Sequence, residues 1–380
     1  MSFQCLLTAI RNGWMEDDMS DTVYLLLESG KVFKGKRFGA KREAIGEIVF
    51  TTGITGYLET LTDPSYYGQI IVQTFPLIGN YGIIPEDFES KMVGAAAYIV
   101  KDWCQEPSNF RCEGTLDAFL NKHNIPGMYG IDTRALTKII REYGTLNGII
   151  TTSLKEAEKL NFKSYTIHNP VAIVSTQKIY EEKPKKAKFR VALIDFGLKG
   201  NIKKELLKRG CDLTVFPYNA TKEDILSSKP DGIMLTNGPG DPKDNKIVIS
   251  NLKEIIETNT PIFGICLGHQ LLALANGFQT TKLKYGHRGA NQPVRDLVTG
   301  RIYITSQNHG YAVKNDSINK TIAVQIFNNL NDGTCEGIEY KNHPVFSVQF
   351  HPEACGGPHD TQFLFDKFIE IMEVNKYATK

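Results

Sequence analysis

Between Arg190 and Gly277 the chain repeats one pattern: a short apolar run, a stretch with apolar residues at helical spacing, then another short apolar run. Arg190 to Asp195, Leu213 to Phe216, Gly232 to Thr236 and Pro261 to Ile265 read as strands. Ile202, Leu206 and Leu207 mark a helix ended by Gly210, Ile225-Leu226 a shorter one, and Leu252, Ile255 and Ile256 another. Strands that alternate with helices imply crossover connections, hence an α/β domain with a mixed, mainly parallel sheet flanked by helices. After Gly277 the pattern shifts to strands at Ile302 to Thr305, Thr321 to Phe327 and Val345 to Phe350.

The first half has a different texture. Thr22 to Phe33 reads as a hairpin around Glu28-Ser29-Gly30, Glu47 to Phe50 and Ile70 to Thr74 as strands, and Met92 to Lys101 holds a further apolar run. Frequent Gly and Pro suit a β-rich α+β domain with many loops. One clear helix starts after Asp132, an N-cap residue, carries Leu136, Ile139, Ile140 and Tyr143 on one face, and stops at Gly144. The charged run Glu181 to Lys188 separates the two textures. The expected organisation is therefore a disordered extension over 1–20, an N-terminal domain over 21–180, a linker over 181–188 and an α/β domain over 189–380. Residues 1–18 make a poor signal peptide, because no basic segment precedes the apolar stretch; Met19 is a plausible alternative start.

Composition narrows the partners. Lys and Arg number 44 against 42 Asp and Glu, so no basic footprint for nucleic acid or an anionic membrane is expected. No apolar run reaches the length of a transmembrane helix. The seven cysteines form no CxxC pair and are odd in number, which argues for a reducing, cytoplasmic compartment over a disulfide framework.

Cys266 has the most reactive setting among them. It follows the strand Pro261 to Ile265, precedes a helix carrying Leu267, Leu271, Leu274 and Ala275, and has glycines at plus and minus two. That spacing is the nucleophile-elbow pattern with sulfur in place of oxygen. The helix N-terminus favours a thiolate, and the Leu267 N–H is placed to donate to an oxyanion. A thiolate nucleophile needs a base. Of eight histidines, His351 ends a strand and begins His351-Pro352-Glu353, so Glu353 can fix its tautomer. His269, three residues into the helix, is expected to point away. Gly238-Pro239-Gly240 follows another strand end and offers backbone N–H groups for the second half of an oxyanion hole. Taken singly, each motif has a plainer reading: a buried core cysteine, a surface His-Pro turn, a Gly-Pro loop. No phosphate loop and no metal-ligand spacing occurs.

Together Gly264-Ile265-Cys266-Leu267-Gly268-His269-Gln270, Asn237-Gly238-Pro239-Gly240-Asp241-Pro242 and His351-Pro352-Glu353 resemble class I glutamine amidotransferases. Thr55 to Tyr66, Pro76 to Gly82, Gly130 to Arg134, Gly286 to Val294 and Ser306 to Val313 narrow the resemblance to the small subunits of carbamoyl-phosphate synthetases, from about Thr22 to the C-terminus. The resemblance implies a Cys266–His351–Glu353 triad that releases ammonia from L-glutamine. It also implies an oxyanion held by the Gly240 and Leu267 N–H groups. A glutamine pocket of Gly53, Gly238, Gly240, Leu267, Gln270, Asn308, Gly310 and Tyr311 follows as well. It further implies no cofactor in this chain, and a large-subunit partner that uses the ammonia with ATP, Mg and bicarbonate to make carbamoyl phosphate for pyrimidine or arginine synthesis. Departures are Gly53 where the family often has Ser, Arg288 and Gln292 where His is usual, and Tyr311 where Phe is common. Two other readings are another class I amidotransferase subunit and a non-catalytic assembly subunit.

Overall fold

The structure is a computed structural model that describes residues 21–378; the expected N-terminal extension lies outside the described residues. Two β systems organise the chain. The first half forms a closed barrel, in the order β1-β2-β8-β6-β4-β3-β9. Its strands are β1 (Thr22–Leu27), β2 (Val32–Gly39), β3 (Ala44–Thr51), β4 (Gln69–Gln73), β6 (Ala97–Ile99), β8 (Pro126–Tyr129) and β9 (Leu146–Thr151). A small parallel pair, β5 (Leu77–Ile78) with β7 (Asp102–Trp103), lies beside it. Alternating burial along β3 and β9 sends Ile48, Phe50, Leu146 and Ile150 into the interior, where Leu25, Ile70 and Val72 join them. The Thr133–Tyr143 helix closes one side through Leu136, Ile139 and Ile140; Asp132 caps it by accepting from the Ala135 N–H at 2.9 Å. Tyr143, expected on the buried face, is exposed, because the chain turns away at Gly144.

The second half is one sheet in the order β10-β12-β11-β13-β14-β19-β18-β17-β15-β16. The strands are β10 (Tyr180–Glu182), β11 (Phe189–Asp195), β12 (Cys211–Pro217), β13 (Gly232–Leu235), β14 (Ile262–Ile265), β15 (Thr280–Asp296), β16 (Ile302–Val313), β17 (Ala323–Asn329), β18 (Cys335–Tyr340) and β19 (Val345–Val348). The run β12-β11-β13-β14-β19 is parallel, as the alternating pattern requires; the remaining strands add antiparallel pairs at both ends. Helices cover both faces of the parallel part, giving two apolar layers. One centres on Ile233, Leu252, Leu271 and Leu272, the other on Phe263, Phe346, Phe365 and Phe368.

The expected linker is shorter than its charged composition suggests. Tyr180, Glu181 and Glu182 pair antiparallel with Val215, Thr214 and Leu213, so 181–182 belong to the sheet edge. Two polar side chains there do not bar an edge strand, whose outer row faces water.

Barrel and sheet meet along a polar seam. Lys282 pairs with Glu47 at 2.6 Å, the Thr145 N–H donates to the Lys284 carbonyl at 2.9 Å, and Thr55 donates to the Gly356 carbonyl at 3.2 Å. The carboxyl ends of β13, β14 and β19 open onto this seam.

Candidate active site

The parallel register sets the geometry. Ile265 of β14 lies opposite Val348 of β19, so the residues that follow, Cys266 and His351, leave the sheet at one edge. Cys266 turns sharply there, with φ 53 and ψ −101, a conformation L-residues rarely hold without support. Its N–H donates to the Val348 carbonyl at 2.8 Å and the Gly268 N–H to the Thr236 carbonyl at 3.0 Å, which pins the turn. The Leu267–Ala275 helix then starts, with its first N–H groups free of intrahelical partners. The glycines at 264 and 268 let this helix lie on the sheet: a Cβ at Gly268 would stand 2.5 Å from the Leu235 carbonyl oxygen.

His351 Nδ1 meets Glu353 Oε1 at 2.7 Å, and both residues are buried. Nδ1 therefore carries the proton and Nε2, which has no hydrogen-bond partner, is open. Burial and the nearby Lys199 push the imidazole down, but Glu353 and the Cys266 sulfur more than offset them, and His351 is raised above its ordinary value. Glu353 is held well below the usual carboxylate range: burial alone would raise it, yet Lys199 and His351 favour its anion. The Cys266 thiol rests against the Asn308 carbonyl at 3.7 Å. His269 faces the sheet instead, bonded to Ser347 at 2.8 Å, and burial lowers it to about 3, so it is neutral.

A cavity of about 680 Å³ opens in front of Cys266 between barrel and sheet. Gly238, Gly240, Gln270, Asn308, Gly310 and Tyr311 line it, as do Glu47, Lys282 and Arg288. Leu267 does not line it, though its N–H sits at the helix start beside Cys266. Gly53 is placed elsewhere, in a neighbouring pocket of about 90 Å³ shared with His351, Asp63, Glu89 and Lys199. There its carbonyl accepts from the Gln73 amide at 2.6 Å. Gly240 has φ 89, and a Cβ on it would meet Pro170 at 2.6 Å, so only glycine keeps this loop close to the cavity.

Sequence reasoning did not single out Lys199, Asp63, Ser65 or Glu89. Lys199 pairs with Glu353 at 3.0 Å; Asn308 donates to Asp63 at 3.1 Å, and Asn237 to Ser65 at 2.9 Å. Asp63 and Ser65 fall within a stretch that carried the family resemblance, which was the available signal for them.

The fold also gathers His287, His309 and Glu336, with one ligand-type atom of each within 4.8 Å of the others. Most of their polar atoms are engaged, while His287 Nδ1, 3.5 Å from Glu336, and the second Glu336 carboxylate oxygen have no hydrogen-bond partner. His309 Nδ1 donates to the Tyr311 carbonyl at 2.7 Å and Nε2 meets the Gln307 amide at 3.0 Å; His287 Nε2 meets Asp332 at 2.9 Å. Burial would lower His287, but Asp332 and Glu336 prevail and raise it to about 9. Such a group stabilises the fold fully below its unfolded value near 6.5, and the contribution disappears as pH rises through about 9. Urea midpoints should therefore fall between pH 7 and pH 10, by on the order of 2 kcal/mol in stability, and His287→Gln should flatten that loss. An equal decline in wild type and variant would remove His287 as the cause.

Comparison with known proteins agrees with this architecture. The model of the class-I glutamine amidotransferase family matches residues 192–371, and that of the carbamoyl-phosphate synthase small chain, CPSase domain, matches residues 25–150. The carbamoyl phosphate synthase small chain of Clostridium perfringens is 51% identical over 348 residues, covering 91% of this chain and 98% of its own. That of Fusobacterium nucleatum is 51% identical over 354 residues, covering 92% and 98%. That of Bacillus cereus is 52% identical over 351 residues, covering 92% and 95%. A barrel and an amidotransferase sheet joined in one chain, matched along nine-tenths of its length, place this protein in the carbamoyl phosphate synthase small chain family.

Proposed function

We propose that the chain hydrolyses L-glutamine to glutamate and ammonia through a Cys266 thioester and delivers the ammonia to a large subunit. The observation that carries this reading is the buried His351–Glu353 pair beside a cysteine held in a strained strand-to-helix turn at the mouth of a cavity. His351 Nε2 takes the Cys266 thiol proton as the sulfur attacks the carboxamide carbon, and the new C–S bond moves an electron pair onto oxygen. The Gly240 and Leu267 N–H groups stabilise that oxyanion. As the tetrahedral adduct collapses, His351 gives its Nε2 proton to the departing nitrogen, since an amide anion is too poor a leaving group. Neutral His351 then takes a proton from water, which attacks the thioester; glutamate leaves, and the proton on His351 Nε2 returns to the Cys266 sulfur. Glu353 keeps the imidazole oriented through both steps. Gln270, whose amide donates to the Tyr311 carbonyl at 2.8 Å, and Asn308 position the substrate.

This chain needs no cofactor for that chemistry. The large subunit would use ATP, Mg and bicarbonate to convert the ammonia to carbamoyl phosphate for pyrimidine or arginine synthesis in the cytoplasm. A glutamine-analogue electrophile should label the full chain with one equivalent, on Cys266, and glutamine should protect. The other described cysteines should stay unmodified; Cys211 and Cys335 are buried, which pushes each thiol up to about 12. A folded chain that takes no label would leave only an assembly role.

A further inference from the structure

Glu89 lies in the barrel half of the chain, in the loop after Pro85–Asp87, yet it is buried against the sheet half. Its carbonyl accepts from the Gly200 N–H at 2.6 Å. Its carboxylate accepts from the Asn201 N–H at 3.2 Å and from the Asn201 side-chain amide at 2.9 Å. It thus caps the Gly200–Lys208 helix from another part of the chain, at a helix start where Lys199 offers no capping side chain. The Lys199 ammonium stands 3.7 Å from Glu89 and 3.0 Å from Glu353. All three residues are buried, and Glu353 Oε1 also holds His351. A continuous row runs Glu89, Lys199, Glu353, His351.

We propose that Glu89 is a positioning residue for the His351–Glu353 pair, acting through Lys199 across the seam between barrel and sheet. This rests on the glutaminase reading above and extends it: the barrel half contributes to the catalytic site as well as to the chain's architecture. The physical reason is charge balance. A lone buried ammonium bonded to Glu353 would compete with His351 for the same oxygen and oppose the imidazolium. Glu89 takes up part of the Lys199 charge and fixes where the ammonium sits. Burial and the like-charged Glu353 push the Glu89 carboxyl up, while Lys199 opposes them. Both carboxylate oxygens face only donors, which is the pattern of the ionised form. The other charged groups acting on this row are Asp63, on Lys199 and Glu89, and Glu59, whose carboxyl feels both.

The test is Glu89→Gln in the full chain, read in two ways. NMR of the histidine ring nitrogens follows His351 without turnover, and its titration should move down by about one unit. Glutamine hydrolysis should lose about tenfold in kcat with KM nearly unchanged, the signature of an interaction that matters to the chemical step more than to binding. Glu89→Asp, which keeps the charge but withdraws it by one methylene, should shift both readouts part of the way and covers the case in which the glutamine variant does not fold. A folded variant whose His351 titration and kcat match wild type overturns the proposal. If the wild-type chain hydrolysed no glutamine, the glutaminase reading would fall, while the His351 titration would still decide the role of Glu89.

Discussion

Cys266→Ser is expected to abolish glutamine-dependent carbamoyl phosphate synthesis by the complex, by about 10³-fold or more, while ammonia-dependent synthesis continues within about twofold. The serine hydroxyl is smaller, far less acidic and less polarisable than the thiol, and the His351 imidazole, though raised, is no match for an alkoxide. A loss of 10³ is about 4 kcal/mol of barrier, more than any change in binding could supply here. The substitution should alter stability little, because the exchange nearly conserves shape, the thiol's hydrogen bond to the Asn308 carbonyl is long at 3.7 Å, and the turn is held by backbone bonds at Cys266 and Gly268. The two assays separate the halves of the reaction: added ammonia bypasses this chain's chemistry and calls only on the large subunit. Loss of both activities from an intact complex would mean that Cys266 supports assembly and would remove it as the nucleophile.

What could be read from the sequence was what is local in the sequence. The elbow around Cys266 announces itself because the strained turn, its flanking glycines and the helix after it are contiguous. Glu353 lies two residues from His351, so their bond needed no knowledge of the fold. Lys199 and Glu89 had no such signature. A Lys before a Gly and a Glu in a loop are ordinary surface residues until the seam closes over them, and only then does each need the other. The long strand β15 was missed for a different reason. Its pairing with β16 shifts register between Lys282 and His287 and again between Gly289 and Gln292, which breaks the two-residue alternation, and Gly286, Gly289 and Pro293 read as turns. Those irregularities bring Arg288 and the Asn308–Tyr311 stretch to the cavity. Gly53 is a position carried over by resemblance alone. Its neighbours Thr51 and Thr55 border the His351 pocket with it, so the loop is at the site, but it does not line the cavity in front of Cys266.

Gly268→Ala should lower both stability and activity, although alanine is the better helix former. In an open helix the exchange would gain about 1 kcal/mol. Here the added carbon would lie 2.5 Å from the Leu235 carbonyl oxygen, 2.8 Å from the Leu235 Cβ and 2.9 Å from the Leu235 carbonyl carbon. Leu235 is fully buried and ends β13, which is paired on both sides by β11 and β14, so its backbone cannot yield. The Leu267–Ala275 helix must move instead, and it is buried almost all round. Displacing it by part of an ångström weakens the Gly268–Thr236 backbone bond and opens packing around Leu271 and Leu272. Overpacking of this kind costs about 1–3 kcal/mol or more, and with an unyielding backbone the upper end applies, so the net loss should be about 2 kcal/mol. The same displacement carries the Leu267 N–H away from where the proposed oxyanion would form and tilts Cys266 within its turn. Errors near 1 Å cost about 10²-fold in rate, so glutaminase activity should fall by that order even at temperatures where the variant is folded. Urea unfolding and labelling of Cys266 by a glutamine-analogue electrophile would measure the two effects separately. Wild-type stability together with wild-type labelling would show that the helix has room against β13, and would contradict the close approach on which the placement of Cys266 depends.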